Sequence, residues 1–388
     1  MREMGSLIWI GESPGHYDGI LFWHESTEET IKKYPGFQGA PTKAIKDILS
    51  TDWVLRVVPS DVDLVKLCDQ LTNDPSSVVW FPARKIKKKK EMERLRSLEE
   101  YLVNCFLPKI VNSPKEQLLI DDQSALFNFV NKNVPEAKHL IPVSFSAKGG
   151  EEVLQRASEV DSACVVKVQG THGGKGVYCF EGKDELKKFI DRTRSFWVST
   201  LYKVSCCTKA VEKLPSVILG RALSSNCDLV VSEYVDTWSK EFRGYVNAAV
   251  YVTFGKVSFA NARFSFNSFN IHAADSEKSL QSLDFSTRGE LCKRIFRIVR
   301  LHKIAIEKLS QNLSFAFLRL DCLLDIDRER LYIAEIELKG GPGRLVRHKT
   351  LATMAEAGWD QGAILEYLEI EPPSIADFVR FVNTVNQS

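Results

Sequence analysis

The sequence has no CxxC pair, and its nine cysteines form an odd set scattered along 388 residues. That spacing excludes a zinc ribbon and a paired disulfide framework, and the thiols read as reduced in a cytosolic-type, cytoplasmic compartment. Cys206-Cys207 is an adjacent pair with no assigned role. Charge of one sign is not in excess either: 52 Lys and Arg against 50 Asp and Glu leave a net charge of +2. No general pull towards nucleic acid or an anionic membrane follows from such a balance. Long apolar runs are missing. The first residues offer only Leu7 to Ile10 before Gly11-Glu12, too short for a signal peptide or a membrane span. No internal repeat or low-complexity tract occurs. Two phosphate-binding signatures are absent as well. The glycine-rich stretch at 170–176 is followed by a β run, so neither the P-loop nor the dinucleotide fingerprint, both of which open a helix, describes it.

What is present suits a large globular chain of two or three lobes, with 44% apolar and 26% charged residues. Residues 1–113 read as a separate α/β lobe. Strands are expected at Ser6–Ile10, Val54–Val58 and Val78–Phe81, and helices at Val62–Leu71 and Glu91–Leu107. Alternation of the two argues for a parallel sheet. Glu12, His16 and Tyr17 follow the first strand, where such a sheet places ligands, although a plain surface turn explains them equally. The run Arg84-Lys85-Ile86-Lys87-Lys88-Lys89-Lys90 leads into an amphipathic pattern and lacks interleaved aromatics, so it reads as a solvated helix start rather than a nucleic-acid patch.

The densest chemistry lies in FAFLRLDCLLDIDRERLYIAEIELKGGPG, residues 315–343. Two apolar runs flanking a charged turn predict a β-hairpin. Alternation puts Arg319 and Asp321 on one face of its first strand and Glu335 and Glu337 on one face of its second. Crowded carboxylates call for a neutralising cation, and oxygen-only ligands suit Mg²⁺, or Mn²⁺ in its place. A solvated outer sheet face is the alternative. About 150 residues earlier, VVKVQGTHGGKGVYCF (165–180) places Lys167 on a strand and Gly170, Gly173, Gly174, Lys175 and Gly176 in the loop after it, where backbone amides can approach phosphate oxygens.

Together these motifs resemble the ATP-grasp superfamily, most closely its carboxylate-amine ligase branch, of which D-alanyl-D-alanine ligase is a member. The likeness runs over roughly residues 112–368 and includes Asn112 to Val143, VVSEYVDTWSKEFRGYV (230–246), Gly341-Pro342-Gly343 and the helices of 350–368. It implies an α+β ATP-grasp fold: an N-terminal parallel α/β lobe (1–113), a small lobe with the glycine loop (114–232) and a large lobe with the metal hairpin (233–388). It further implies ATP held by Lys167, Gly173, Gly174, Lys175, Gly176, Glu233, Tyr234, Val235 and Glu241, and Mg²⁺ held by Asp321, Glu335 and Glu337. Arg319 would steady the reacting oxyanion, with Arg263 as a second candidate. Ser232 competes with Glu233 for the adenine amino group. This chain departs from the family pattern at Glu337, where the branch has Asn, and at Gln123, where the family often has a phosphate-binding Lys; Lys115 and Lys132 lie near the second gap.

A ligase joining a small carboxylate, an amino acid or a peptide end to an amine is the reading these features favour, with a homodimer left open. A polyol kinase of the same fold remains open, as does an ATP-binding assembly factor or a ligase modifying a macromolecule. Elsewhere, Asp184–Ile190 and Leu291–Leu309 read as helices, and 246–266 as two strands joined at Gly255-Lys256. Residues 195–226 carry no clear pattern, and 267–286 read as a polar insertion or mobile loop.

Overall fold

The computed structural model describes residues 6–10, 54–58, 72, 78–81, 89–106, 109–160, 163–169, 177–194, 215–224, 227–268, 271, 273–338, 349–371 and 374–384. The chain gathers into two compact units, a larger one of residues 1–118 and 237–388 and a smaller one of residues 119–236.

The larger unit begins with β1 (Ser6–Ile10), β2 (Val54–Val58), β3 (Val78–Trp80) and β4 (Lys109–Val111), an all-parallel sheet in the order β2-β1-β3-β4. Helix α1 (Lys89–Phe106) carries the chain from β3 to β4. Its Leu95, Leu98 and Leu102, spaced at three and four, bury against Val79, Phe81 and Ile110. The expected helix at 62–71, Glu12, His16, Tyr17 and residues 84–88 of the basic run lie outside the described residues, whereas Lys89 and Lys90 open α1. Val78, Trp80 and Val111, on this sheet, share a core with Phe254, Phe317, Phe378, Phe381 and Val382 from far along the chain. Asn112, at φ 59°, fastens the junction. Its Nδ2 donates to Phe81 O at 3.0 Å, and its Oδ1 accepts from Ala316 N at 3.1 Å. Helix α2 (Pro114–Asp121) follows.

The smaller unit contains α3 (Gln123–Asn133), a 3₁₀ turn (Pro135–Leu140), β5 (Ser144–Lys148), α4 (Gly149–Ala157), β6 (Cys164–Val168), β7 (Val177–Phe180), α5 (Lys183–Arg194), α6 (Pro215–Ser224) and β8 (Asp228–Glu233). Its four strands form an antiparallel sheet in the order β5-β8-β6-β7. One face of the sheet packs on Val153, Leu186, Ile190 and Leu219. Helix α6 occupies part of 195–226, where no pattern was legible; its Leu219, Ala222 and Leu223 supply a short apolar face.

The chain then returns to the larger unit as β9 (Trp238–Ser239), β10 (Gly244–Thr253), β11 (Lys256–Ser265), α7 (Ala273–Ser282), α8 (Phe285–Gln311), β12 (Phe317–Asp325), β13 (Arg330–Glu337), α9 (Lys349–Glu356), α10 (Gln361–Tyr367) and α11 (Ile375–Thr384). Its strands form an antiparallel sheet in the order β11-β10-β12-β13, with β9 on β10. Phe254 (φ 52°) and Gly255 (φ 72°) turn β10 into β11, the two positive φ values that a two-residue hairpin with native twist requires. Ala260, Val250, Leu320 and Ile336 form one buried apolar row across the four strands, on the face where α8 packs with Leu291, Ile295, Phe296 and Val299.

Helix α7 corrects the reading of 267–286 as a loop. Its inward face is built largely from Ser276, Ser279 and Leu280, all buried, and Ser276 Oγ accepts from Phe264 N at 3.0 Å. Small hydroxyls in place of aliphatics hide the helical period. Among the described residues no helix is long and apolar enough to cross a membrane, and the cysteines are free thiols. Burial pushes the Cys292 thiol up to about 12.

Candidate functional site

The face of the large antiparallel sheet opposite α8 is polar. Directly opposed residues on neighbouring strands share a face, so the register defines its rows. One runs Asn261, Ala249, Asp321, Glu335; the next runs Phe259, Tyr251, Arg319, Glu337; and Arg263 stands opposite Asn247. A register shift between Asp321 and Cys322 breaks the hairpin pairing just beyond the acidic residues, a device that re-aims side chains at sites.

Arg319 is the centre of the cluster. Its Nε and Nη2 donate to Asp321 Oδ1 and Oδ2, both at 2.9 Å, and Nη2 also reaches Glu337 Oε1 at 2.7 Å. Arg263 Nη2 meets Asp321 Oδ1 from the other side at 3.3 Å. The arginine side chains are only 12% and 11% exposed at Arg263 and Arg319, so these pairs are desolvated and geometrically fixed. Burial alone would push the Asp321 carboxyl up, but Arg263 and Arg319 outweigh it and hold the group below the ordinary aspartate range. For Glu337 burial prevails over Arg319, and repulsion from Asp321 and Glu335 adds to it, so its carboxyl lies above the usual value. Arg319 itself is raised: burial opposes its charge, and Asp321 and Glu337 more than compensate. Tyr251 is fully enclosed beside these charges, and burial raises its hydroxyl pKa.

The donor set, three carboxylates on one face, has the hard oxygen chemistry that Mg²⁺ selects. Asp321 and Glu337 are, however, engaged by arginines rather than converged with Glu335. Among the described residues no group of three or more His, Cys, Asp or Glu is gathered for a metal ion.

Lys167 sits on β6 of the smaller unit, half-buried, paired with Val230 and Val177. Gly173, Gly174, Lys175 and Gly176 lie outside the described residues. Gln123 opens α3 behind Asp122, whose Oδ1 accepts from Ser124 N and Ala125 N, both at 3.1 Å, and from Gln169 Nε2 at 3.2 Å. Lys115 and Lys132 are exposed. At the end of β8, Glu233 Oε1 accepts from Val143 N at 3.0 Å and Glu233 N donates to Val143 O at 2.8 Å. Ser232 Oγ accepts from Ser144 Oγ at 2.8 Å, and Tyr234 N donates to Ala163 O at 2.9 Å. Val235 is buried. Glu241 belongs to the larger unit, where its half-exposed carboxylate pairs with Arg294 at 2.9 Å.

Asn261, Asn247 and Tyr251 escaped the sequence reading. The signal available for Asn261 was its spacing of two from Arg263, which puts both on one strand face.

No family model and no curated protein matches the chain. Solved structures do. D-alanine–D-alanine ligase from Bacillus anthracis complexed with ATP is 10% identical, with 98% of this chain and 99% of that one covered and a TM-score of 0.43. An ATP-grasp ligase from Chryseobacterium gregarium, RiPP-associated and in complex with ADP and a leader and core peptide, is 12% identical, with 91% and 96% covered and a TM-score of 0.42. A RimK domain ATP-grasp protein from Sphaerobacter thermophilus is 10% identical, with 90% and 98% covered and a TM-score of 0.41.

Proposed function

We propose that the protein is an ATP- and Mg²⁺-dependent carboxylate-amine ligase that forms an amide through an acyl phosphate and releases ADP and phosphate. The observation that carries this reading is the buried cluster in which Arg319 grips Asp321 at 2.9 Å and Glu337 at 2.7 Å beside Arg263 and Glu335. A carboxylate is a poor electrophile for an amine. Its oxygen first attacks the γ-phosphorus and ADP leaves; the amine nitrogen then adds to the carbonyl carbon, and phosphate departs with the carboxylate's oxygen.

Such chemistry asks the protein for positioning and charge stabilisation rather than a nucleophile. Nε and Nη2 of Arg319 are taken by Asp321 and Glu337, which fixes the guanidinium plane, and Nη1 is assigned to a developing oxyanion. Arg263 would hold the acid's carboxylate. Asp321, Glu335 and Glu337 would hold Mg²⁺, which when bound would screen the phosphate oxygens. In the smaller unit, Lys167 and Lys175 with Gly173, Gly174 and Gly176 are assigned to the phosphates, and Glu233, Tyr234 and Val235 to the nucleoside; Glu241 is the candidate for the ribose. The lobe division proposed from the sequence is 1–113, 114–232 and 233–388, whereas the compact smaller unit extends to Asp236 and so includes Glu233, Tyr234 and Val235. The substrates are a small carboxylate, an amino acid or a peptide end, and an amine, in a cytoplasmic enzyme.

The test incubates the enzyme with ATP·Mg²⁺, a pool of amino acids and small carboxylates, and hydroxylamine in place of the amine. Hydroxamate formation coupled to ADP release is expected. A stable phosphate ester with no hydroxamate from any acid would establish a kinase instead.

A further inference from the structure

Asn261 on β11 is 2% exposed, and its side-chain carbonyl oxygen Oδ1 is buried with no hydrogen-bond partner among the described residues. Buried acceptors are costly to leave unpaired, so one retained at a polar sheet face points to a ligand that brings the donor. Asn261 stands beside Ala249, and Ala249 beside Asp321. Ala249, itself buried, puts only a methyl between the amide acceptor on one side and the Arg263–Asp321–Arg319 cluster on the other.

We infer that Asn261 Oδ1 accepts an N–H of the amine substrate and so aims its nitrogen at the carbonyl carbon held by the arginines. This inference rests on the ligase reading. A neutral amide suits the task better than a carboxylate would: it accepts the N–H of a free amine while favouring the protonated ammonium, which has no lone pair for attack, less than a full negative charge does.

The test compares wild type with Asn261→Leu and Asn261→Ala, using hydroxylamine as the amine. The melting temperature without ligands should stay equal or rise in Asn261→Leu, because an unsatisfied acceptor is removed. The shift produced by ATP·Mg²⁺ should be unchanged. The KM for hydroxylamine in hydroxamate formation should rise at least tenfold, with kcat at saturating hydroxylamine within about threefold. An unchanged KM, or a fall in melting temperature of several degrees in both variants, would overturn the assignment while leaving the ligase reading intact. Absence of hydroxamate from the wild type would overturn both together.

Discussion

Arg319 determines what the other polar residues on its sheet face can do. A guanidinium this buried is tolerable only because two carboxylates surround it, and those carboxylates in turn depend on it. Removing one partner of a desolvated ion pair costs about 3 to 5 kcal/mol, because the remaining charge stays buried. Arg319→Ala should accordingly lose about that much in urea denaturation, with Asp321 and Glu337 left to Arg263. A loss below about 1 kcal/mol, the ordinary value for exposed pairs, would show the cluster to be solvated. Glu335 differs. It stands beside Asp321 in the register, and its charge adds repulsion at Glu337. Glu335→Gln should therefore melt at the same temperature as wild type or slightly higher in the absence of ligands, yet lose turnover. A marked drop in melting temperature would make it a structural ion-pair partner. At this scale the hairpin residues were legible because strand alternation is local: Arg319, Asp321, Glu335 and Glu337 share a face for reasons written in residues 315–338. Tyr251 was not, because its membership depends on how β10 pairs with β12, which no local pattern specifies, and Asn261 was marked only by its spacing of two from Arg263.

Among the elements, those with long aliphatic periods were readable, whereas the short helix α6 and the helix α7, docked through small polar groups, were not. Helix α8, with Leu291, Ile295, Phe296 and Val299, announces its buried face; α7, with Ser276 and Ser279 turned inward, does not. The C-terminal helix α11 is held by a capping box, in which Ser374 N donates to Asp377 Oδ2 at 2.9 Å and Asp377 N donates to Ser374 Oγ at 3.2 Å. Lys256 Nζ reaches Asp377 Oδ1 at 2.6 Å. Burial would raise the Asp377 carboxyl, but Lys256 and the Ser374 bonds outweigh it and depress it below the ordinary value. A carboxyl depressed in the folded state contributes stability that is present above its unfolded pKa and is lost as pH falls through the folded one. Wild type should therefore lose stability below pH about 4 more steeply than Asp377→Asn. Parallel acid denaturation curves for the two would contradict the ion pair. Gly244 makes a different demand. A Cβ there would lie 2.4 Å from Phe264 Cζ, so Gly244→Ala should cost about 1 to 3 kcal/mol, read as a lower melting temperature.

The chain as a whole divides into two compact units, each with its own antiparallel sheet, and the reading assigns the phosphates to the smaller and the acidic face to the larger. The two assignments can be tested separately. ATP·Mg²⁺ at about a hundredfold over its Kd should stabilise the protein by about 2.7 kcal/mol, seen as a thermal shift that Lys167→Ala largely removes. Equal shifts in the two proteins would take Lys167 out of the site. One oxygen atom distinguishes ligase chemistry from the alternatives. With the acids of the substrate pool labelled with ¹⁸O in their carboxylates, an acyl phosphate intermediate requires the inorganic phosphate released with the amide to carry one ¹⁸O from the acid. Phosphate free of ¹⁸O, or a γ-phosphoryl group retained on a hydroxyl compound, would contradict the ligase account.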